Sequence, residues 1–260
     1  MLHVRRTRHA SARGMQVWAL SLLLGLAAII VVVEVVSAPV EWLWPYQLKG
    51  NTHWHGQRSG NCVSLTFDDG PSRYTETVLE ILKAHEIAAT FFVMGIQVAR
   101  YPEIIKRMAD EGHEIGNHTY SFQGKKGLVR LLSYSVPQGE VTRTEDAVRT
   151  ITGTSPRFFR SPGGQMGRGL WRQVNKHGLK VVTGALPFPD PKADAETQLK
   201  TALETVQPGA IIILHDGDDH NPDSDRPRAT VEMLPQLIDE LKQEGYKIAP
   251  LEELLYLRQC

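Results

Sequence analysis

The chain has 260 residues, 29 basic and 29 acidic side chains, no formal net charge and 42% hydrophobic residues. That balance leaves no basic surplus for a nucleic-acid partner. Two cysteines rule out a densely stapled scaffold, and a domain of roughly 200 residues buries its own core without staples.

In chain order, residues 1–14 come first, with Arg5, Arg6, Arg8 and Arg13 and no acid. From Met15 to Val33 there is no charge at all. A bilayer needs about 20 apolar residues, so 15–36 reads as a transmembrane signal anchor. The arginines before it place the N-terminus in the cytoplasm and everything after Glu34 outside. A cleaved signal peptide is the alternative: Val36-Ser37-Ala38 resembles a cleavage site, but Pro39 follows directly. Trp42, Trp44 and Tyr46 suit the outer membrane interface. Residues 37–61 read as a linker, with His53-Trp54-His55 as a loop that could touch metal or a surface.

From residue 62 short apolar runs alternate with helical patterns. The runs are Val63–Phe67, Thr90–Val93, Glu114–Gly116, Arg157–Phe159, Lys180–Val182, Ala210–Leu214 and Tyr246–Ala249. Short and often β-branched, they predict buried strands. Apolar residues at helical spacing mark Tyr74–His85, Pro102–Glu111, Gly139–Ile151, Leu170–His177, Glu196–Val206 and Thr230–Glu244. Gly112, Gly153, Gly178, Gly209 and Gly245 each follow a helix, where a left-handed cap wants glycine. About seven such alternations predict parallel strands with crossover helices. A barrel, closed or nearly so, explains why the polar clusters all fall at one end, the C-terminal strand ends.

Those clusters are Thr66-Phe67-Asp68-Asp69-Gly70-Pro71, Gly116-Asn117-His118-Thr119, Phe159-Arg160-Ser161-Pro162-Gly163-Gly164, Phe188-Pro189-Asp190-Pro191 and Ile213-Leu214-His215-Asp216-Gly217. Asp-Asp-Gly-Pro is good turn chemistry. Two adjacent carboxylates at a strand end can also divide labour, one on a metal and one taking a proton, if their environments differ. The ordered set TFDDGP, GHEIGNHT, FRSPGG and ILHDG resembles the polysaccharide deacetylases of carbohydrate esterase family 4, from about Cys62 to Arg258. The resemblance implies a distorted (β/α)7 barrel over 62–260 and a divalent metal, usually zinc. It implies removal of N- or O-acetyl groups from a polysaccharide.

By that resemblance Asp68 is the general base and Asp69 a metal ligand. His118 is the first histidine of the family's H-[ST]-x-x-H metal motif. Arg160 orients the base, the Gly163 N–H helps bind the oxyanion, and His215 is the general acid. Asp190 steadies His215, and Leu214 lines the pocket for the acetyl methyl. The departure is Phe122, which stands where the family has its second metal histidine and cannot coordinate zinc. Either Ser121, Gln123 or an acid of Asp216–His220 fills in, or the site is weaker and more water-rich, or it is dead. Two functions remain open: a membrane-anchored deacetylase of a cell-wall or extracellular polysaccharide, and a non-catalytic barrel that binds a glycan or a wall-synthesis partner.

Other residues have plainer readings. His113 is packed or capping, and His85 and His177 sit near helix ends where cations suit the dipole. The aspartate-rich run Asp216–Arg226 reads as a solvated loop, and Tyr120 and Trp171 as core or as sugar-stacking rings. Cys62 and Cys260 flank the domain and could bridge outside the cell.

Overall fold

The computed structural model describes residues 52–121, 137–164, 166–185, 187–219 and 221–256. The basic terminus, the apolar segment 15–36, Phe122, Gln123, His220 and Cys260 lie outside the described residues. No helix among those described is long and apolar enough to cross a membrane.

Among the described residues eight parallel strands form one curled sheet: β1 (Thr52–His53), β2 (Cys62–Asp68), β3 (Thr90–Val93), β4 (Glu114–Asn117), β5 (Phe158–Phe159), β6 (Lys180–Val182), β7 (Ile211–His215) and β8 (Lys247–Ile248). Their order is β1-β6-β5-β4-β3-β2-β7, with β8 paired to β2. The Ala185 N–H donates to Ile211 O (3.0 Å) and the Gly56 N–H to Gly209 O (2.7 Å), so the β6/β1 edge is drawn towards β7. The helices are α1 (Thr75–Ala84), α2 (Gly95–Arg100), α3 (Pro102–Asp110), α4 (Glu140–Thr152), α5 (Arg168–Lys176), α6 (Ala195–Glu204), α7 (Pro227–Gln243) and α8 (Leu251–Tyr256).

The seven expected strands are present, but the linker reading of 37–61 is corrected at its end. Thr52 and His53 pair with Val181 and Val182. Two residues with no alternation of their own give no strand signal; they join the sheet because β6 offers an open edge. The five glycines expected after helices all have φ between +67° and +86°. Cys62 is disulfide-bonded.

One face of the sheet supports the helices. Val63, Leu65 and Phe67 of β2 join Phe91, Val93, Ile212 and Leu214 in a fully buried apolar layer against Leu79, Leu82, Leu234 and Leu237. Phe67 and Phe91 stack with centroids 4.9 Å apart. Each such side chain contributes about 1.5–3 kcal/mol by burial. Alternation then sends Ser64, Thr66 and Asp68 to the other face, into the curl. The apolar half of β2 therefore aims its polar half at the site.

His113 is packed, as expected. It is buried, its ring meets Phe91 edge-on at 5.4 Å, and its Nδ1 accepts the Ala89 N–H at 3.1 Å. Burial holds its pKa down at about 4, against the ordinary 6.5. The folded state thus favours the neutral ring, while the unfolded chain takes up a proton first. Stability is complete above pH 6.5 and is lost as pH falls towards 4. The expected loss across that window is about 3 kcal/mol. An NMR titration of His113, with urea unfolding at pH 7 and pH 5, checks it. A ring titrating near its ordinary value refutes it.

Candidate functional site

Motifs from distant parts of the chain meet at the C-terminal ends of β2, β4, β5 and β7. Asp68 ends β2 in register with His215, which ends β7. Asn117 of β4 is in register with Phe159 of β5, so His118 and Arg160 follow side by side.

Arg160 is buried, and its partners explain how. Nη1 donates to Asp68 Oδ1 (2.7 Å) and Thr66 Oγ1 (2.8 Å), and Nη2 donates to Thr183 O (3.3 Å). The guanidinium lies 4.1 Å from the centroid of the Phe92 ring. Its carbonyl accepts from His118 Nδ1 at 2.8 Å. A neutral imidazole that donates from Nδ1 turns a lone pair outward at Nε2. His118 Nε2 faces Asp69 Oδ1 at 3.3 Å. A lone pair facing a carboxylate needs a cation or a proton between them. Burial alone would lower the His118 pKa, but Asp68 and Asp69 outweigh it and raise it. Burial would raise the Asp69 pKa, but His118, then His215 and Arg226, hold it below the usual carboxylate range.

The two adjacent carboxylates therefore have different partners: Asp68 an arginine, Asp69 a histidine. The backbone separates them. Asp69 sits at φ +70°, so its side chain leaves the strand alternation. Thr119, after His118, also has φ +70°, which is rare for a β-branched residue. Each such position costs about 1–3 kcal/mol and persists only where its surroundings enforce it.

The chain segment after β7 enforces the first. The Asp216 N–H donates to Asp68 O (3.2 Å), the Ser72 hydroxyl donates to Asp216 O (2.5 Å), and the Thr75 hydroxyl donates to Asp216 Oδ2 (2.6 Å). A Cβ at Gly70 would lie 2.1 Å from Asp216 Oδ2, and one at Gly217 would lie 2.1 Å from Asp69 O. Glycine at 217 lets its backbone approach that of Asp69, and glycine at 70 leaves room for the Asp216 carboxylate. Burial pushes the Asp216 carboxyl up to about 7 against the Thr75 bond, and the charges of Asp69 and Asp68 add to the rise.

The solvated-loop reading of Asp216–Arg226 is corrected at its first residues, while Asn221, Asp223 and Asp225 are exposed as expected. Asp216 and Asp218 are 1% and 6% exposed, and Arg226 bridges to Asp218 at 3.0 Å. Asp225 pairs with Arg73 (2.6 Å) and Asp223 with Arg100 (3.1 Å), so the outer aspartates tie the loop to the turn before α1 and to the end of α2. Aspartate-rich composition suggested solvent; the missing signal was the pairing of β7 with β2, which no local pattern contains.

Two further expectations are corrected. Leu214 is in register with Phe67, on the face opposite Asp68, and is buried in the apolar layer under the helices. It supports β7 rather than lining the curl. Ile213, half-buried and in register with Thr66, and Ile211, buried and in register with Ser64, are the β7 apolar residues on the Asp68 face. Asp190 is exposed, and its carboxylate accepts the Lys192 N–H at 2.9 Å within its own turn. It is not brought to His215. Gly163 follows Arg160 as expected, exposed at φ +58° in a tight turn over Pro162–Gly164. Tyr120 is half-buried, with the Arg143 guanidinium 3.5 Å from its ring centroid.

The donor chemistry of Asp69 and His118 fits a divalent cation: one carboxylate oxygen and one imidazole nitrogen converge, and the other ring nitrogen is fixed by a backbone carbonyl, the usual support of a ligating histidine. No third His, Cys, Asp or Glu joins them closely enough among the described residues.

Comparison with known proteins places this arrangement in context. Residues 55–182 match the family described as polysaccharide deacetylase. The chain is 36% identical over 211 residues to a chitooligosaccharide deacetylase of Bradyrhizobium sp. (strain ANU 289), covering 77% of this chain and 94% of that protein. The solved structures that resemble it include three with the following fits. A peptidoglycan N-acetylglucosamine deacetylase in complex with 4-naphthalen-1-yl-N-oxidanyl-benzamide gives a TM-score of 0.70 at 27% identity, covering 84% of this chain and 97% of that one. A mutant of a CE4 family pseudoenzyme from Bacillus anthracis, with restored enzymatic activity, gives 0.65 at 26% identity over 79% and 71%. A family 4 acetyl xylan esterase from Clostridium thermocellum, in complex with a cobalt ion, gives 0.62 at 33% identity over 74% and 89%.

Proposed function

The chain belongs to the polysaccharide deacetylase family, and from that premise we propose that it is a hydrolase removing N-acetyl groups from a cell-wall or extracellular amino-sugar polysaccharide. The observation that carries the reading is the division of the Asp68-Asp69 pair, one carboxylate on buried Arg160 and its neighbour on buried His118. Its relatives include proteins named as chitooligosaccharide and peptidoglycan N-acetylglucosamine deacetylases. The curled sheet is read as the family's distorted (β/α)7 barrel. The arginine-flanked apolar segment 15–36 is read as the anchor that keeps it on the outer side of the cell membrane.

Asp69 and His118 would hold a divalent metal, zinc in this reading, which when bound supplies Lewis acidity and a water of lowered pKa. The chain's own groups do the rest. Asp68 accepts the proton of the attacking water, and Arg160 orients that carboxylate through a charge-assisted bond. The Gly163 N–H stands for the oxyanion as the carbonyl becomes tetrahedral. His215, beside Asp68 across the β2–β7 ladder, delivers a proton to the departing nitrogen. An O-acetyl ester would need the same groups, with less demand on His215.

A second reading, glycan or partner binding without turnover, is favoured by Phe122. Acetate release from acetylated chito-oligosaccharides decides between them. The full chain is expected to release acetate, to stop with a chelator and to recover with added zinc. No release under any condition sinks the enzyme reading. Phe122→His is expected to raise zinc affinity and acetate release together, because catalytic zinc sites usually have three protein ligands. No gain in zinc would mean that another donor already serves. A gain in zinc without acetate release favours the binding reading.

A further inference from the structure

The segment that carries His118 is held by a buried carboxylate to which the proposed chemistry gives no task. Glu140 opens α4 and is 3% exposed. Its Oε2 accepts the N–H groups of Tyr120 (3.0 Å) and Ser121 (2.8 Å), and its Oε1 accepts the Ser121 hydroxyl (3.3 Å). Bonds to a carboxylate are roughly twice as strong as neutral ones. The first turn of a helix is also where its dipole favours a negative charge.

The backbone of the segment has further partners. The His118 N–H donates to Val93 O (3.0 Å), and Thr119 N–H to Asn117 Oδ1 (2.9 Å). Asn117 Nδ2 in turn donates to Val141 O on α4 (2.9 Å). Gly95 and Ile96 of α2 donate to Thr119 O (3.0 Å) and Tyr120 O (2.8 Å). Two of the four N–H groups from His118 to Ser121 thus end on one side chain, Glu140. This restraint acts just beyond Thr119, whose φ of +70° needs an external hold.

We infer that Glu140 is a positioning residue: by reach and hydrogen bonding, it fixes the His118–Ser121 segment so that His118 Nε2 faces Asp69. The inference rests on the reading of Asp69 and His118 as cation donors.

Two mild variants of the full chain separate reach from charge. Glu140→Gln keeps the reach of one carbonyl oxygen and loses the charge. Glu140→Asp keeps the charge at the helix start and withdraws the oxygens by one methylene. The first readout is NMR of the metal-free protein: the His118 ring nitrogen shifts and the amide exchange of Tyr120 and Ser121. The second is cobalt(II) affinity, followed by visible absorption. Glu140→Asp is expected to shift the His118 ring signals, to speed exchange at Tyr120 and Ser121 while core amides keep their protection, and to weaken cobalt about 10–100-fold, whereas Glu140→Gln stays within about threefold of the parent. A general loss of stability would not move these two amides alone. The inference is overturned if Glu140→Asp leaves the His118 signals unchanged, or if Glu140→Gln is the more damaging of the two. If the parent chain binds no cobalt, the cation reading falls, and the His118 shifts still decide the positioning inference.

Discussion

Asp68→Asn is expected to lower kcat for acetate release by about 10²–10⁴-fold, the usual worth of a positioned general base. The substitution is close to isosteric. An asparagine oxygen can still accept from Arg160, now 2.7 Å from Asp68 Oδ1, and the strand on which it sits is fixed by the fully buried Phe67 before it. What disappears is the capacity to take a proton. Asp69 and His118 remain, so zinc should still bind, whereas Asp69→Asn or His118→Ala should lose zinc together with activity. Acetate release with parallel zinc titrations checks both halves. A loss below about tenfold in Asp68→Asn would remove Asp68 from the base role, since that is short of the general-base range. Loss of zinc in Asp68→Asn would mean that the two carboxylates are not divided as described.

The division could be anticipated from sequence only as far as local chemistry reaches. The strands were legible because runs such as β2, β5 and β7 are short, apolar and end in polar clusters, and all seven expected runs form strands. The helices were legible where apolar spacing persists for two turns or more. Helix α2, with six residues, is too short to show a period, yet its first two N–H groups bind Thr119 and Tyr120. Leu214 was misassigned for a definable reason. It adjoins His215 in sequence, but neighbours on a strand face opposite ways, and register with Phe67 puts it under the helices. Asp216 and Glu140 left no local signal. Their burial comes from β7 lying beside β2 and from α4 returning to Ser121, contacts that span more than 140 and 19 residues.

The same long-range logic predicts a large stability cost for the loss of Arg160. It is 3% exposed, and among the described residues it alone supplies a cation bonded to buried Asp68. Arg160→Met keeps much of the volume beside Phe92 and removes the charge. Asp68 is then a buried carboxylate without its partner, and removing one member of a buried pair costs about 3–5 kcal/mol. Part of that cost is the Thr66 hydroxyl and the Thr183 carbonyl, which lose their bonds to the guanidinium. The pH dependence follows in sign: an unpartnered buried carboxylate favours its proton, so the deficit should grow as pH rises and shrink on acidification. The double variant Asp68→Asn/Arg160→Met should recover part of the loss, because it leaves no lone charge inside the curl. Urea unfolding of the two single variants and the double variant, as a thermodynamic cycle, measures the coupling. A deficit in Arg160→Met below about 1 kcal/mol would put the pair in the class of solvent-screened bridges. Additive losses would mean that Arg160 stabilises the fold through Thr66, Thr183 and Phe92 rather than through Asp68. Neither outcome is compatible with a base held in place by its arginine.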